Sequence, residues 1–110
     1  MITIETSSPR TLLENMRNAI DQGRITSWIY DDEHDFTLSR LGTVQRAWFH
    51  PRIGTGRIRF CIVGVNGESM TSLTYAKYHS HLVNTLLRFF DDEITSISVT
   101  PNKSPFDRFD

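Results

Sequence analysis

Apolar and polar residues alternate most regularly between positions 46 and 63, on both sides of Gly54-Thr55. Folding this stretch so that Ile53 pairs with Gly56 sorts the side chains by chemistry, because neighbours along a strand point to opposite faces. One face is then apolar, with Ala47, Phe49 and Pro51 opposite Ile62, Phe60 and Ile58. The other is basic and aromatic, with Trp48, His50 and Arg52 opposite Cys61, Arg59 and Arg57. The pattern predicts a two-stranded ribbon in this register.

Two other stretches have the spacing of amphipathic helices. The first is apolar from Leu12 to Ile20, starts either at Ser8 before Pro9 or one turn later, and stops at Gly23. The second begins at Thr71 or Ser72 and runs to Phe90. Its apolar residues form two adjacent stripes, Tyr75, His79, Leu82, Leu86 and Phe89 beside Ala76, Val83, Leu87 and Phe90. So broad an apolar arc predicts deep burial of the second helix.

Shorter alternating or β-branched runs predict the remaining strands, at 2–5, 25–30 and 95–99, with a returning arm at 36–38. The resulting order is β-α-β-(β)-β-β-α-β. It predicts an α+β fold, a single domain in which a mainly antiparallel sheet of four or five strands is covered on one face by two helices. We expect residues 1–101 to form this globular domain and residues 102–110 to be a loosely held tail.

Composition and charge narrow the classes of function. The 110 residues include twelve Lys and Arg and thirteen Asp and Glu, so the formal net charge is −1. This charge gives no overall electrostatic attraction to a polyanion. The single cysteine excludes an internal disulfide and a zinc site made of several thiolates. No window reaches the roughly 20 apolar residues of a membrane-spanning helix. We therefore expect a cytoplasmic protein without a membrane contact.

The basic and aromatic side of the ribbon is the first candidate site. Extended by Arg46, it comprises Arg46, Trp48, His50, Arg52, Arg57 and Arg59. Guanidinium groups recognise phosphate or carboxylate, and an indole stacks on a base or packs into a protein interface. Three interpretations stay open: a solvated outer face, a contact with a protein, and a site for single-stranded nucleic acid.

The acidic run Asp31, Asp32, Glu33 and Asp35, with His34 inside it, is the second candidate. Carboxylates suit Mg²⁺ or Ca²⁺, but Phe36 and Gly42 occupy the positions at which a calcium loop needs Gly and Glu. We therefore predict no metal here and interpret the run as a solvated hairpin turn. Together with Asp91, Asp92 and Glu93 it would also make an acidic patch suited to a basic partner.

The remaining reactive side chains give no catalytic arrangement. His79 lies in an apolar stripe, which indicates a hydrogen-bonded core histidine, and Cys61 lies in mid-strand, which indicates a packed thiol. No glycine-rich phosphate loop is present in the sequence. We predict no cofactor.

These observations favour a non-enzymatic module that binds another macromolecule, with a protein as the expected partner. An immunity or inhibitor protein of bacterial or phage type fits this description. A single-stranded nucleic-acid binder using the same ribbon is the first alternative, and a metal-dependent hydrolase using the acidic turn is the second. A homodimer is compatible with the sequence as well.

Overall fold

Six strands and two helices form in the part of the chain that the computed structural model describes, residues 1–101 and Asp107. In chain order they are strand β1 (Ile2–Glu5), helix α1 (Pro9–Asp21), strands β2 (Trp28–Tyr30), β3 (Phe36–Leu38), β4 (Ala47–Gly54) and β5 (Arg57–Gly64), helix α2 (Ser72–Phe90), a 3₁₀ turn (Asp91–Glu93) and strand β6 (Ser96–Val99). Both helices start and end within a residue or two of the predicted positions.

The strands make one antiparallel sheet in the order β2-β3-β4-β5-β1-β6. Together with the helices it forms one compact domain, which confirms the α+β prediction. The sheet has six strands rather than four or five, because the two three-residue strands β2 and β3 both pair. The prediction of a loosely held tail falls outside the described residues except at Asp107, which is buried.

The predicted ribbon forms, but its register differs from the predicted one by two residues. Ile53 pairs with Ile58 rather than Gly56, and Phe49 pairs with Ile62. The two-residue loop is Thr55-Gly56, where Gly56 has a φ of 68°, a conformation that glycine adopts without strain. A shift of two leaves every side chain on its predicted face, since side chains alternate with a period of two.

Both helices pack on the apolar face of the sheet. The aromatic rings of Phe36, Phe49 and Phe60 lie side by side there, with the Phe60 centroid 6.1 Å from Phe36 and 6.3 Å from Phe49. Leu12 and Met16 of α1 and Leu82 and Leu86 of α2 belong to the same buried cluster. The opposite face of the sheet carries no described helix.

The second helix is not buried as deeply as its apolar arc predicts. His79, Leu82, Leu86 and Phe90 are buried, but Leu87 is 53% exposed and Ala76 and Phe89 are exposed as well. The sheet covers only one side of the helix, so part of each apolar stripe extends past the edge of the core. The prediction of deep burial is therefore wrong for Ala76, Leu87 and Phe89.

Pairing between β3 and β4 is restricted to one residue pair, Phe36 with Phe49. Beside it, the Tyr78 hydroxyl of α2 lies between the two strands. It accepts from the Ala47 N–H at 3.1 Å and donates to Thr37 Oγ1 at 3.1 Å, while Thr37 donates to the Ala47 carbonyl at 2.6 Å. We call this junction the β3–β4 seam; α2 holds it together.

Candidate functional site

The sheet surface opposite the helices, called here the far face, brings the basic and aromatic residues of the ribbon together. Strand β4 places Trp48, His50 and Arg52 on it, and β5 places Arg57, Arg59, Cys61 and Val63 on it. The placement follows from the alternation, because their neighbours Phe49, Phe60 and Ile62 are buried under the helices. Arg46 is exposed immediately before β4.

The far face changes from apolar to basic along the strands. Trp48 lies opposite Val63, and both are half-buried, while Ile29 of β2 is 44% exposed. Further along, Arg52 lies opposite Arg59, and Arg57 lies opposite Glu5 of β1. One end of the surface is therefore suited to apolar contacts and the other to anionic groups.

The arginines of the far face differ in their surroundings. Arg52 and Arg59 are direct cross-strand neighbours, an arrangement that costs free energy unless anionic groups compensate, and each has an interaction partner in the chain. The stem of Arg57 lies across the hairpin, since a Cβ added at Gly54 would come within 3.2 Å of Arg57 Cγ. Arg52 is exposed, whereas Arg57 and Arg59 are half-buried.

His50 does not stand free on the far face. Its Nδ1 lies 2.7 Å from Asp35 Oδ1, and Asp35 is a buried residue. The structure thus joins one residue of the predicted basic site to one residue of the predicted acidic site. The bond links the turn before β3 to β4, next to the β3–β4 seam, which gives it a structural role.

The acidic turn is organised by its own backbone. Asp31 Oδ1 accepts from the N–H groups of Glu33 and Asp35, both at 3.0 Å, and His34 at the tip has a φ of 63°. Asp31, Asp32 and Glu33 are exposed, so three of the four predicted acids face solvent. This is the hydrogen-bonded turn geometry that acidic and amide side chains favour.

The second acidic run has different neighbours. Glu93 accepts from Asn15 of α1 through its carboxylate and from the Thr6 hydroxyl through its carbonyl, at 2.9 Å and 2.7 Å. No described hydrogen bond or ion pair joins this run to the β2–β3 turn. Within residues 1–101 and Asp107, no group of three or more His, Cys, Asp or Glu side chains is placed to hold a metal ion.

Cys61 is a packed thiol on the far face. It lies opposite His50 and is 1% exposed. Burial raises the pKa of the thiol, and the carboxylate of Asp107 raises it further. No hydrogen bond joins its sulfur to His50, so the Asp35–His50 pair does not activate the thiol.

A buried polar cluster that the sequence did not indicate lies where α2 meets the ends of β1 and β6. The α-ammonium of Met1 donates to Tyr75 Oη and to His79 Nε2, both at 2.9 Å, and to Thr100 Oγ1 at 3.0 Å. Asp107 Oδ2 lies 3.4 Å away, and its Oδ1 accepts from the Ile62 N–H at 2.8 Å. Burial lowers the pKa of the ammonium and raises that of Tyr75.

This cluster joins residues that are far apart in the chain, so no local pattern could have revealed it. Only His79 gave a signal, as a polar residue in an apolar stripe, and its prediction as a hydrogen-bonded core histidine is confirmed. All polar atoms of the cluster have partners. Its chemistry is that of a structural anchor.

Comparisons of this chain with protein-family models, with curated proteins and with solved structures found no match in any of the three. Among the helices of the described residues, neither is both long enough and apolar enough to span a bilayer.

Proposed function

We propose that this protein is a non-enzymatic module that recognises another protein through the far face. The observation that carries the proposal is the placement of both helices on one face of the sheet, while on the other face the described strands present the half-buried Trp48 and the exposed Ile29 beside arginines. Trp and Arg are the residue types enriched at the energetic centres of protein interfaces.

The charge of the far face specifies the chemistry of the partner. Arg46, Arg52, Arg57 and Arg59 lie on this face or next to it, and the described acids near them are Glu5 and Asp35, of which Asp35 is bonded to His50. A complementary surface therefore carries carboxylates around an apolar patch that covers Trp48 and Ile29. An inhibitor or immunity protein facing an acidic partner is one form that such a module takes, and its cytoplasmic location stays a prediction of the sequence.

Single-stranded nucleic acid fits the far face less well. Sheets that bind RNA stack two or three bases on exposed aromatic rings, whereas the ribbon offers Trp48 alone, since Phe49 and Phe60 are buried under the helices. The formal net charge of −1 also gives no general attraction to a polyanion.

The test compares two immobilised baits in extracts of the source organism, the wild-type protein and Arg46→Glu/Ile29→Glu. We expect a protein with an acidic binding surface to be retained by the wild type and lost from the variant, and to form a one-to-one complex by calorimetry once purified. Trp48→Ala should weaken that complex by about tenfold or more. Arg46→Glu alone should mainly slow association and reduce its dependence on salt.

Arg88→Glu is the matched control, because Arg88 is exposed on α2 and lies over the Phe89 ring, away from the far face. Circular dichroism shows whether the Trp48→Ala protein stays folded. If it does not, the binding measured for Ile29→Glu tests whether the far face is the contact surface. A partner retained equally by both baits would contradict the proposal. Binding of mixed single-stranded oligonucleotides, lost steeply with salt and on Trp48→Ala, would replace it with the nucleic-acid alternative.

A further inference from the structure

Strand β6 (Ser96–Val99) is an edge of the described sheet, and its own side chains are uncharged. It pairs with β1 on one side, and no described strand pairs with it on the other. From Thr95 to Thr100 the sequence is TSISVT, which contains neither a charged residue nor a proline. Natural proteins protect exposed edges with charges, prolines, bulges or very short strands, because an open edge pairs with other chains.

The opposite edge, strand β2, differs from β6 in its length and in its attachment to a helix. Strand β2 has three residues, Trp28–Tyr30, and its Tyr30 hydroxyl donates to Asp21 at 2.7 Å. The acidic residues Asp31, Asp32 and Glu33 follow directly and are exposed. Acids flank both edges, since Asp91–Glu93 precede β6, so what distinguishes β2 is its three-residue length and its attachment to α1 through Tyr30.

The backbone groups that β6 offers belong to Ile97 and Val99. The Thr100 N–H donates to the Met1 carbonyl at 3.1 Å, and hydrogen-bonded and non-bonded pairs alternate along an antiparallel ladder. Ser98, opposite Thr3, is then bonded to β1, whereas the N–H and C=O groups of Ile97 and Val99 point away from β1. An added strand would pair with those groups.

An apolar groove runs between this edge and α2. It has a volume of about 490 Å³, and its walls include Val83 and Leu87 of α2 and Val99 of β6. Leu87 is 53% and Val99 is 45% exposed. On the helix side the groove is lined by Ala76, Val83 and Leu87, residues of the second apolar stripe of α2 that the core does not bury.

We propose that a second copy of this chain occupies the edge and the groove, by antiparallel pairing of β6 with β6 about a two-fold axis. A strand that fits here needs apolar side chains on the helix side and small polar ones on the other. Strand β6 itself has this pattern, with Ile97 and Val99 on the helix side and Ser96 and Ser98 on the far-face side. The surface is therefore complementary to itself, as a two-fold interface must be.

The two-fold arrangement also places charges favourably. Strand β6 begins shortly after the acidic turn Asp91–Glu93. Thr100, which follows its last residue, accepts from the Tyr75 hydroxyl in the first half of α2, two residues before the exposed Lys77. Antiparallel pairing brings the acidic end of one copy towards the Lys77 end of the other. Both copies keep their helices on the same side of the joined sheet, so the two grooves lie on one side of it.

The test measures the association state of the full chain by sedimentation velocity over a range of concentrations. We expect a dimer that dissociates on dilution. Val99→Pro removes an outward N–H without removing a bond to β1, and Leu87→Glu puts a charge in the groove. Each should raise the dimer dissociation constant by about tenfold or more. Leu73→Glu is the control, since Leu73 is exposed on α2 outside the groove, and it should leave dimerisation unchanged.

Amide hydrogen exchange supplies a second readout. In the dimer the Ile97 and Val99 amides should become protected as concentration rises, while the Ser98 amide, already bonded to β1, should not change. If Val99→Pro fails to fold, Leu87→Glu decides. A wild-type chain that is monomeric at every concentration overturns the proposal. It does so even if another protein is found to add a strand to β6. A dimer that persists in both variants overturns it as well.

Discussion

The imidazole of His79 is held in one tautomer by its two partners. Nδ1 lies 2.7 Å from the Tyr75 carbonyl, which can only accept, so Nδ1 carries the hydrogen and Nε2 presents its lone pair to the Met1 ammonium. Protonation would put a second positive charge beside that ammonium. Burial, and then this repulsion, lower the pKa of His79 to about 4, although the Tyr75 carbonyl and the nearby Asp107 carboxylate oppose the shift.

Because the ordinary pKa of histidine is 6.5, the unfolded chain takes up this proton first as the pH falls. The stabilisation from neutral His79 is complete above pH 6.5 and is lost as the pH falls towards 4, about 3 kcal/mol in all. We expect His79→Gln, which keeps an acceptor and cannot titrate, to flatten the fall in the free energy of unfolding across this window. Urea unfolding at a series of pH values measures it.

Leu82→Val is the control for this prediction, because Leu82 is buried on the same helix and does not titrate. It should lower the free energy of unfolding equally at every pH and leave the slope as in the wild type. If the curves of His79→Gln and wild type run parallel between pH 6.5 and pH 4, the assigned role of His79 is wrong.

Both helices are predicted to begin at a hydroxyl residue that caps the first turn, but only one of these residues makes the capping hydrogen bond in the structure. Thr71 Oγ1 accepts from the Thr74 N–H at 3.1 Å at the start of α2, whereas the Ser8 side chain makes no capping bond at the start of α1. We expect Thr71→Ala to lower the free energy of unfolding by about 1 kcal/mol. Ser8→Ala should cost less than about 0.5 kcal/mol, because Pro9 already fixes the first turn.

Denaturant unfolding of the two alanine variants, with Thr71→Ser as the conservative substitution, checks this contrast. Thr71→Ser keeps the hydroxyl acceptor and should recover most of the loss. Equal losses in Thr71→Ala and Ser8→Ala would show that the capping bond at Thr71 is not what stabilises the start of α2.

The sheet as a whole is held together unevenly. Strands β4 and β5 pair over eight residues, but β3 joins β4 at one pair beside the seam that Tyr78 fills. Tyr78→Phe removes the acceptor of the buried Ala47 N–H, so we expect it to lower the free energy of unfolding by about 1 to 3 kcal/mol. Hydrogen exchange should show β2 and β3 losing protection before β4 and β5 do.

Tyr30→Phe is the control for the seam. It removes a hydroxyl whose bond to Asp21 is exposed to water, so its loss of stability should be much smaller. A Tyr78→Phe protein as stable as the wild type, with uniform exchange across the sheet, would mean that the seam is not held by α2.

Local patterns predicted the helices and the sorting of the ribbon into two faces. The 3.6-residue period of a helix and the two-residue period of a strand relate side chains that are only a few positions apart in the sequence. They also placed Trp48 and its arginines on one side of the ribbon. The overly broad apolar arc of α2 was a signal as well: Leu87 lies in it, and in the structure Leu87 lines the open groove beside β6.

The tertiary structure decided what such patterns leave open. Alternation is unchanged by a shift of two residues, so the sequence could not choose between pairing Ile53 with Gly56 and pairing it with Ile58; the conformation of the Thr55-Gly56 loop made that choice. The Asp35–His50 bond, the Tyr78 seam and the Met1–His79 cluster each join distant positions. Which strand becomes a sheet edge is likewise a property of the assembled sheet, because it depends on every pairing and not on the strand itself.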